Sequence, residues 1–432
     1  MLALILINYL CGLGLERFEQ NKTARLILLL IALAGSLGML FYFKYANFVL
    51  SSINAIFGTG FAPIQGISVL PLGISFYTFQ TLSYTIDVYR RDVKTEHNII
   101  DFGAYVVMFP QLIAGPIVKY RDVSDRLHVY KGRYELKQIE DGMTLFTFGL
   151  AKKVLLADAI GALWTDIIGV ADSPSVSFVG LANASTPLVW LGVIAYSLQL
   201  YFDFSGYSLM GIGMGRMLGF DFPQNFNYPY ISGSITEFWR RWHMTLSGWF
   251  RDYLYIPLGG SRCRLRRTCL NLLIVFTLTG LWHGAAWQYV VFGLLHGVIL
   301  CLERLGLGQL LNQMPKFFRH LYTVAVLWAT LIIFGAPGLR EGLAAWRGIL
   351  TWQSGARGYT LAAFADTKLL LILAASFLLC GPLQALSPRL KKALYERKAP
   401  SPAGMVLLLV LLFLGLMRVT AGTYSAFIYF QF

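Results

Sequence analysis

Long apolar runs separated by short polar connections dominate the hydrophobic pattern of this chain of 432 residues. A helix needs about 20 mostly apolar residues to cross a bilayer. The clearest windows are Ala24–Phe43, Pro187–Leu209, Asn271–Val291, Leu321–Ala336, Leu369–Leu386 and Met405–Val419. More interrupted windows are Leu2–Leu15, Ile67–Thr85, Phe102–Val118, Met143–Leu163 and Val290–Leu302. The pattern predicts an all-α integral membrane protein with roughly nine to eleven membrane segments, some of them short or re-entrant.

Several apolar runs contain residues that a plain membrane helix avoids. Pro110 and Pro116 interrupt MFPQLIAGPIV, and Asp203 lies between aromatic residues in LQLYFDFSGYS. Broken helices and buried acids at membrane depth are tolerated where they line a cavity or pack inside the protein. These features predict an enclosed polar chamber. The chain has no long linker and no internal repeat, so we predict one multi-pass domain over residues 1–432 and disfavour an inverted-repeat transporter.

The glycine-rich GIGMG at 211–215 follows no predicted strand, so it is not interpreted as a nucleotide-binding loop. Gly211 and Gly215 form a G-x-x-x-G pair, which favours close helix packing.

Composition and charge agree with a membrane protein. Hydrophobic residues make up 56% of the chain and charged residues only 13%, against about 25% in soluble domains. The net charge of +14 comes from loops rich in Lys and Arg, which favour the cytoplasmic side and anionic lipid headgroups. These loops are Lys119–Lys137, Arg262–Arg267 and Arg389–Lys398. We expect no nucleic-acid partner. The five scattered cysteines indicate neither a metal site nor a disulfide framework.

The segment Ser234–Gly260, SITEFWRRWHMTLSGWFRDYLYIPLGG, carries aromatic and basic residues at helical spacing. One face would hold Trp239, Trp242, Leu246, Trp249, Phe250 and Tyr253. A second stripe would hold Arg240, His243, Ser247 and Arg251. The segment predicts one amphipathic helix at the membrane interface, capped by Ser234 or Thr236 and ended by Pro257.

Two interpretations of this segment stay open. Its arginines would bind lipid phosphate if it were only an interfacial anchor. His243 does not fit that interpretation, because an anchor has no use for an imidazole on its polar stripe. A site of chemistry is the alternative.

His283 lies in the apolar stretch GLWHGAAW. Gly280 and Gly284 make room for a substrate or for another backbone, and burial keeps an imidazole neutral and available as a base. A histidine in a membrane segment is a functional hypothesis by default, although a packed structural histidine is the common alternative. We interpret His296 as structural. His97, His128 and His320 lie in loop-like sequence and receive no role.

Together these segments resemble the membrane-bound O-acyltransferase family, in its branch of bacterial, alginate-type polysaccharide O-acetyltransferases. The resemblance spans essentially the whole chain. The matching text is LPLGISFYTFQTLSYTIDVYR, FPQLIAGPI, QLYFDFSGYS, ITEFWRRWHMTLSGWFRDYLYIPLGG, GLWHGAAW and YSAFIYFQF. It implies a multi-span helical fold with a central funnel or tunnel and interfacial or re-entrant helices. It also places the essential histidine at His283 and the second histidine at His243.

The resemblance implies transfer of acetyl groups from a cytoplasmic donor, acetyl-CoA, toward O-acetylation of an exported polysaccharide such as alginate. No bound cofactor or metal is expected. A separate periplasmic acetyltransferase is the expected partner, and the bacterial inner membrane the expected location. Candidate substrate- or donor-binding residues are Arg240, Arg241, Arg251, Asp203 and Trp282. The arginines suit donor phosphates because the guanidinium fork matches phosphate geometry.

Three further points remain hypotheses. Tyr429 is a candidate transient acyl carrier, against the alternative of an interfacial aromatic residue. Members of this branch generally begin with roughly two additional spans, so we expect a short or internal start here. One rival function is a sibling enzyme that acts on cellulose, on peptidoglycan or, by D-alanyl transfer, on teichoic acid. The other is a polysaccharide or acyl transporter.

Overall fold

A computed structural model describes residues 1–66, 70–112, 115–127, 135–168, 181, 183–355, 360–386, 402–422 and 427. Helices and short connections build all of this described part, in which no β-strand occurs. The predicted all-α fold is therefore confirmed. The central funnel stays a prediction.

Helices follow one another closely along the described ranges. The first are α1 (Leu2–Arg17), α2 (Lys22–Leu40), α3 (Ala46–Phe57), α4 (Ile74–Arg90), α5 (Ile99–Val107), α6 (Phe109–Leu112), α7 (Ser124–Leu127), α8 (Leu136–Ala151), α9 (Asp158–Ile168) and α10 (Thr186–Met217). They are followed by α11 (Ile235–Arg241), α12 (Met244–Phe250), α13 (Leu265–His283), α14 (Trp287–Leu302), α15 (Gly308–Gln313), α16 (Lys316–Gly335), α17 (Leu339–Leu350), α18 (Leu361–Phe364), α19 (Thr367–Leu379), α20 (Pro382–Leu386) and α21 (Pro402–Thr420). Turns of π-helix cover Phe41–Tyr45, Lys152–Ala157, Arg251–Tyr255 and Glu303–Leu307.

Five helical stretches in the described ranges are long and apolar enough to cross a membrane. They are Lys22–Phe57, Thr186–Met217, Trp287–Gln313, Lys316–Gly335 and Pro402–Thr420. Four of the six clearest windows predicted from the sequence fall on these helices. The other two, Asn271–Val291 and Leu369–Leu386, do not. The count of nine to eleven segments stays a prediction.

The window Asn271–Val291 is not the single continuous segment that the sequence predicts. Helix α13 ends at His283, the backbone is extended at Gly284 (φ −165°) and Ala286 (φ −152°), and α14 begins at Trp287. The chain reverses at these extended residues, so that α13 and α14 pack against each other. Glycines let the two helices approach closely. A Cβ on Gly280 would lie 3.0 Å from the Gly293 Cα atom.

The described residues form two compact units, each with its own core. Unit 1 consists of Met1–Met143, Gly211–Gln224 and Thr245–Leu258, and unit 2 of Thr144–Met210, Asn225–Met244 and Gly259–Phe432. Buried aromatic rings such as Tyr84 and Phe102, 4.5 Å apart, centre the core of unit 1. Trp164 and Tyr196 stack at 5.2 Å in the core of unit 2. The single multi-pass domain stays a prediction.

The G-x-x-x-G pair lies inside α10 and makes close contacts in unit 1, as the sequence predicts. A Cβ on Gly211 would lie 2.6 Å from the Pro110 carbonyl oxygen. On Gly215 it would lie 2.7 Å from the Phe222 ring. These glycines therefore permit close packing and form no nucleotide loop.

Candidate active site

The segment Ser234–Gly260 is not one continuous helix, contrary to the prediction. Helix α11 ends at Arg241, and α12 begins at Met244. His243 between them has φ +42°, in the left-handed region that side chains rarely adopt. Holding a non-glycine residue there costs on the order of 1–3 kcal/mol, so the surrounding structure must impose it.

Hydrogen bonds to a neighbouring segment of unit 2 cause this break. The Asn227 N–H donates to the Arg241 carbonyl oxygen at 2.9 Å, and the Met244 N–H donates to the Asn225 carbonyl oxygen at 2.9 Å. The Arg241 carbonyl oxygen and the Met244 N–H therefore have hydrogen-bond partners outside the helix. The chain can turn at His243 without leaving these two backbone groups unbonded.

The start of α11 is held twice. Ser234 is its cap, as predicted, because the Ser234 hydroxyl accepts from the Glu237 N–H at 3.0 Å. The sequence did not predict the second partner, Glu303, which lies at the end of α14. Its buried carboxylate accepts from the Ile235 N–H at 2.7 Å and from the Thr236 N–H at 2.9 Å. An anion at a helix N-terminus is favourable, so Glu303 fixes α11 to α14.

The break separates the residues of the predicted polar stripe. Arg240 is exposed, whereas Arg241 pairs with the Glu237 carboxylate at 2.8 Å and donates to the Asn227 carbonyl oxygen at 3.2 Å. His243 is completely buried. The stripe of Arg240, His243, Ser247 and Arg251 on one continuous helix is therefore wrong.

Arg251 belongs to a basic cluster in unit 1. Asp252 accepts from Lys119 at 2.5 Å, Arg121 at 3.0 Å and Arg251 at 2.8 Å. Burial alone would raise the pKa of Asp252. Hydrogen bonds from Arg251 and Lys119 outweigh that effect and lower the pKa to about 2. One carboxylate thus contacts three cations, and the side chains of Arg121 and Arg251 remain 39% and 65% exposed.

The His243 ring is held by a chain of polar side chains in unit 2. Its Nδ1 lies 3.0 Å from the Asn225 Oδ1, and the Asn225 Nδ2 donates to the Ser208 hydroxyl at 3.0 Å. Asn225 is completely buried, and Ser208 is nearly so. The buried Nε2 of His243 has no hydrogen-bond partner among the described residues.

His243 and His283 flank the indole of Trp282. Ring centroids are 5.9 Å apart between His243 and Trp282 and 5.2 Å apart between Trp282 and His283. Burial lowers the pKa of His243 well below its usual range, and the nearby His283 lowers it further. The structure therefore brings together the three residues that the sequence analysis selected from two separate segments.

His283 also lines an apolar cavity of about 40 Å³ within unit 2. The other lining residues are Leu200, Phe204, Tyr230, Phe238, Trp239, Trp242, Phe292, Leu327, Leu331 and Phe334. A single water needs roughly 10–15 Å³ on this measure, so the cavity has room for a group of a few heavy atoms.

The glycines beside His283 make room for protein and not for a ligand. A Cβ on Gly280 would overlap the Tyr289 carbonyl oxygen, and one on Gly284 would overlap the Tyr289 ring. Of the two roles that the sequence left open, packing against another backbone is the one observed at Gly280.

Asp203 lies in a buried ion pair of unit 2. Lys153 approaches the Asp203 carboxylate at 2.8 Å and the Asp158 carboxylate at 2.5 Å. The Phe427 ring covers this ammonium at 5.0 Å. Two acids and one lysine are thus buried together inside the protein, where a buried acid is tolerated because it is paired. The enclosed polar chamber stays a prediction. A role for Asp203 in binding substrate stays a prediction.

His296 has a different environment from the other two histidines. Its Nδ1 accepts from the Trp239 indole N–H at 3.1 Å, and its Nε2 lies 3.0 Å from the Thr330 hydroxyl. Both ring nitrogens are used by protein, in agreement with the structural interpretation of this residue.

Other candidates add no chemistry to the site. Among the described residues, no group of three or more His, Cys, Asp or Glu side chains is placed to hold a metal ion. The five cysteines are free thiols. Tyr429 and His128 lie outside the described residues. His97 and His320 are absent from the cavity lining.

Sequence reasoning missed the residues that orient the site. Asn225, Ser208 and Glu303 act on partners 17 to 68 positions away. Buried polar residues in apolar surroundings were a signal, but the pattern alone did not identify their partners.

Comparison with known proteins places these residues in context. Residues 29–344 match the sequence profile of MBOAT, the membrane-bound O-acyltransferase family. A probable alginate O-acetylase of Pseudomonas aeruginosa is 44% identical over 79% of this chain and 63% of its own length. One of Pseudomonas putida is 40% identical over 98% of this chain and 88% of its own length. A peptidoglycan O-acetyltransferase of Helicobacter pylori is 34% identical over 80% of this chain and 68% of its own length. The chain thus spans less than two thirds of the P. aeruginosa relative.

Proposed function

The chain belongs to the membrane-bound O-acyltransferase family, and on that premise we propose that it acetylates an exported polysaccharide, with alginate as the acceptor. In this proposal, acetyl groups pass from a cytoplasmic donor across the bacterial inner membrane. The observation that carries it is the convergence of His243 and His283 on Trp282, beside an apolar cavity in unit 2.

His283 is the proposed general base. Neutral His283 takes the proton of an acceptor hydroxyl, whose oxygen attacks the carbonyl carbon of the donor thioester. The carbon–sulfur bond then breaks, and the leaving thiolate takes the proton back from the imidazolium. The C–S bond is replaced by a C–O bond, and His283 ends neutral. A positioned base of this kind contributes roughly 10²–10⁴-fold to the rate.

The cavity supports a short acyl group. A volume of about 40 Å³, lined by aromatic and aliphatic side chains, fits an acetyl methyl beside His283. Trp282, whose indole lies 5.9 Å from the His243 ring and 5.2 Å from the His283 ring, is the proposed wall against which the reacting groups lie.

Acetyl-CoA is the proposed donor, since its phosphates suit arginine. The basic cluster of unit 1 supports this, because its three cations outnumber the two carboxylates paired with them, Asp252 and Asp122, the second of which lies 4.0 Å from Arg121. Two of these cations, Arg121 and Arg251, have exposed side chains, and the guanidinium group suits phosphate. Arg240 is an exposed second candidate, whereas Arg241 is already engaged by Glu237.

The remaining parts of the proposal concern the route after transfer. A periplasmic acetyltransferase of the same pathway is the proposed partner. Tyr429 is a proposed transient carrier. The partner rests on the family resemblance, and Tyr429 on its hydroxyl, which follows the last apolar run of the sequence.

Two alternative functions give different results in the same assay. The relative from H. pylori acts on peptidoglycan by its name, and a sibling activity on another cell-surface polymer would change the acceptor but keep the histidines. A transporter would move polysaccharide across the membrane without consuming acetyl-CoA.

The test is His283→Ala in the full chain, reconstituted in proteoliposomes with labelled acetyl-CoA and an alginate oligosaccharide. We expect acetyl transfer to fall by about 10²–10⁴-fold. His320→Ala is the matched control, because His320 is a partly buried histidine of unit 2 outside the cavity, with Nδ1 3.4 Å from the Ser232 carbonyl oxygen. A folded His283→Ala protein with full transfer would refute the base assignment. Polysaccharide transport without acetyl turnover by the unmodified chain would favour the transporter.

A further inference from the structure

Asn225 holds both the backbone and the side chain of the segment at His243. Its carbonyl oxygen accepts from the Met244 N–H at 2.9 Å, and its Oδ1 lies 3.0 Å from the His243 Nδ1. Two atoms of one buried residue thus fix the turn and the ring that projects from it. A residue that served only to end the helix would need the backbone contact alone.

The direction of these hydrogen bonds determines where the His243 ring carries its proton. The Asn225 amide directs its Nδ2 toward the Ser208 hydroxyl, at 3.0 Å, and its oxygen Oδ1 toward the His243 ring. Facing that oxygen, the His243 Nδ1 must be the donor. A neutral imidazole with its proton on Nδ1 carries its lone pair on Nε2.

The Nε2 of His243 is buried and makes no hydrogen bond to any described residue. Buried polar atoms are almost always bonded, so an exception of this kind needs an explanation. A hydroxyl group supplies the missing donor, and a sugar carries several hydroxyls on adjacent carbons. One of these can be deprotonated by His283 while its neighbour donates to the His243 Nε2.

We propose that Asn225 is a positioning residue, which fixes His243 with its proton on Nδ1 so that Nε2 accepts a hydrogen bond from a second hydroxyl of the acceptor sugar. This inference rests on the proposed function. It assigns Ser208 the role of orienting the Asn225 amide. The ligand class is a polyol with neighbouring hydroxyls.

The charge state of His243 gives the proposal a pH signature. The titratable group near the ring is His283 at the end of α13. The other rings packed on it, Phe204 and Phe226, carry no charge. Asn225→Asp would place a carboxylate against Nδ1 and raise the pKa of His243. The accepting form exists only above that pKa, so the acid limb of the pH profile would move to higher pH.

The kinetic test compares three variants of the full chain in proteoliposomes. Asn225→Ala should lower kcat/KM for the oligosaccharide at least about tenfold. Asn225→Asp should recover most of that loss at high pH and shift the acid limb upward by about one pH unit. Asn227→Ala is the matched control: the Asn227 backbone N–H bonds to Arg241, and that contact survives loss of the side chain. An Asn225→Ala protein with unchanged rate and pH profile would overturn the proposal.

A second measurement does not depend on catalysis. With ¹⁵N-labelled histidine, NMR of the detergent-solubilised chain reports the tautomer of each ring, and the His243 signal is identified by its loss in His243→Ala. We expect the proton on Nδ1 in the unmodified chain and a mixture of tautomers in Asn225→Ala. A proton on Nε2 in the unmodified chain would refute the role of Asn225. If the expected tautomer is found but no acetyl is transferred, the proposed function fails while the positioning of His243 stands.

Discussion

His243 and His296 are both completely buried in unit 2, and each ring lies against an indole. At His296 the protein uses both ring nitrogens, through the Trp239 N–H and the Thr330 hydroxyl. At His243, the described part of the protein uses only Nδ1. Burial is therefore the same at the two sites, and the difference lies in hydrogen-bond completeness.

This difference separates a structural histidine from one prepared for a ligand. A buried imidazole with both nitrogens bonded gains stability from its surroundings and has nothing left to offer a substrate. One with a single nitrogen fixed is held in one tautomer and keeps an acceptor directed elsewhere. The partners of a buried histidine are thus more informative than its burial.

The largest difference between the two sites is expected when His243 and His296 are each replaced by alanine. His243→Ala should lower acetyl transfer by about 10²-fold, because misplacing a bound substrate by about 1 Å has that consequence. His296→Ala should instead remove the hydrogen bonds that the ring makes with the Trp239 N–H and the Thr330 hydroxyl, and lower the free energy of unfolding by about 1–3 kcal/mol. The measurements are transfer rate per folded protein and denaturation in detergent.

The comparison fails if the two variants behave alike. Loss of transfer in folded His296→Ala, to the level of His243→Ala, would show that both histidines serve the chemistry. His320→Ala provides the baseline for histidine loss elsewhere in unit 2.

The next largest effect concerns the hairpin of α13 and α14, which carries both His283 and His296. Gly280→Ala would place a methyl group against the Tyr289 carbonyl oxygen and the Gly293 backbone. Overpacking of this kind costs about 1–3 kcal/mol, and the shift of α13 should lower transfer as well. Gly248→Ala in α12 is the control, since a Cβ there meets nothing within 4 Å. Full stability and activity of Gly280→Ala would show that the space beside His283 is not needed for packing.

Local pattern predicted the helical class and four of the clearest spans, because each of these depends on composition or on residues close in sequence. It also selected His243 and His283, which the structure brings against Trp282 and whose chemical roles stay predictions. It failed at His243 and at Gly284. The continuous helix expected through His243 is broken by hydrogen bonds from Asn225 and Asn227, which lie 14 to 19 residues earlier and leave no periodic signal. An apolar run also does not reveal that the chain reverses after His283. The histidines could therefore be found from sequence, but the residues that orient them could not.

The smallest effect tests the hydrogen bonding of His296 alone. Thr330→Val keeps the shape of the side chain but removes the hydroxyl that lies 3.0 Å from the His296 Nε2. The ring N–H then loses its acceptor, and we expect the free energy of unfolding to fall by about 1 kcal/mol with transfer per folded protein unchanged.

Thr323→Val on the same helix is the matched control for Thr330→Val. Its buried hydroxyl donates only to the Arg319 carbonyl oxygen, at 3.0 Å within α16, so its removal strands no ring nitrogen and should cost less. Equal stability losses in the two variants would show that the second nitrogen of His296 contributes nothing, and would remove the distinction between His296 and His243.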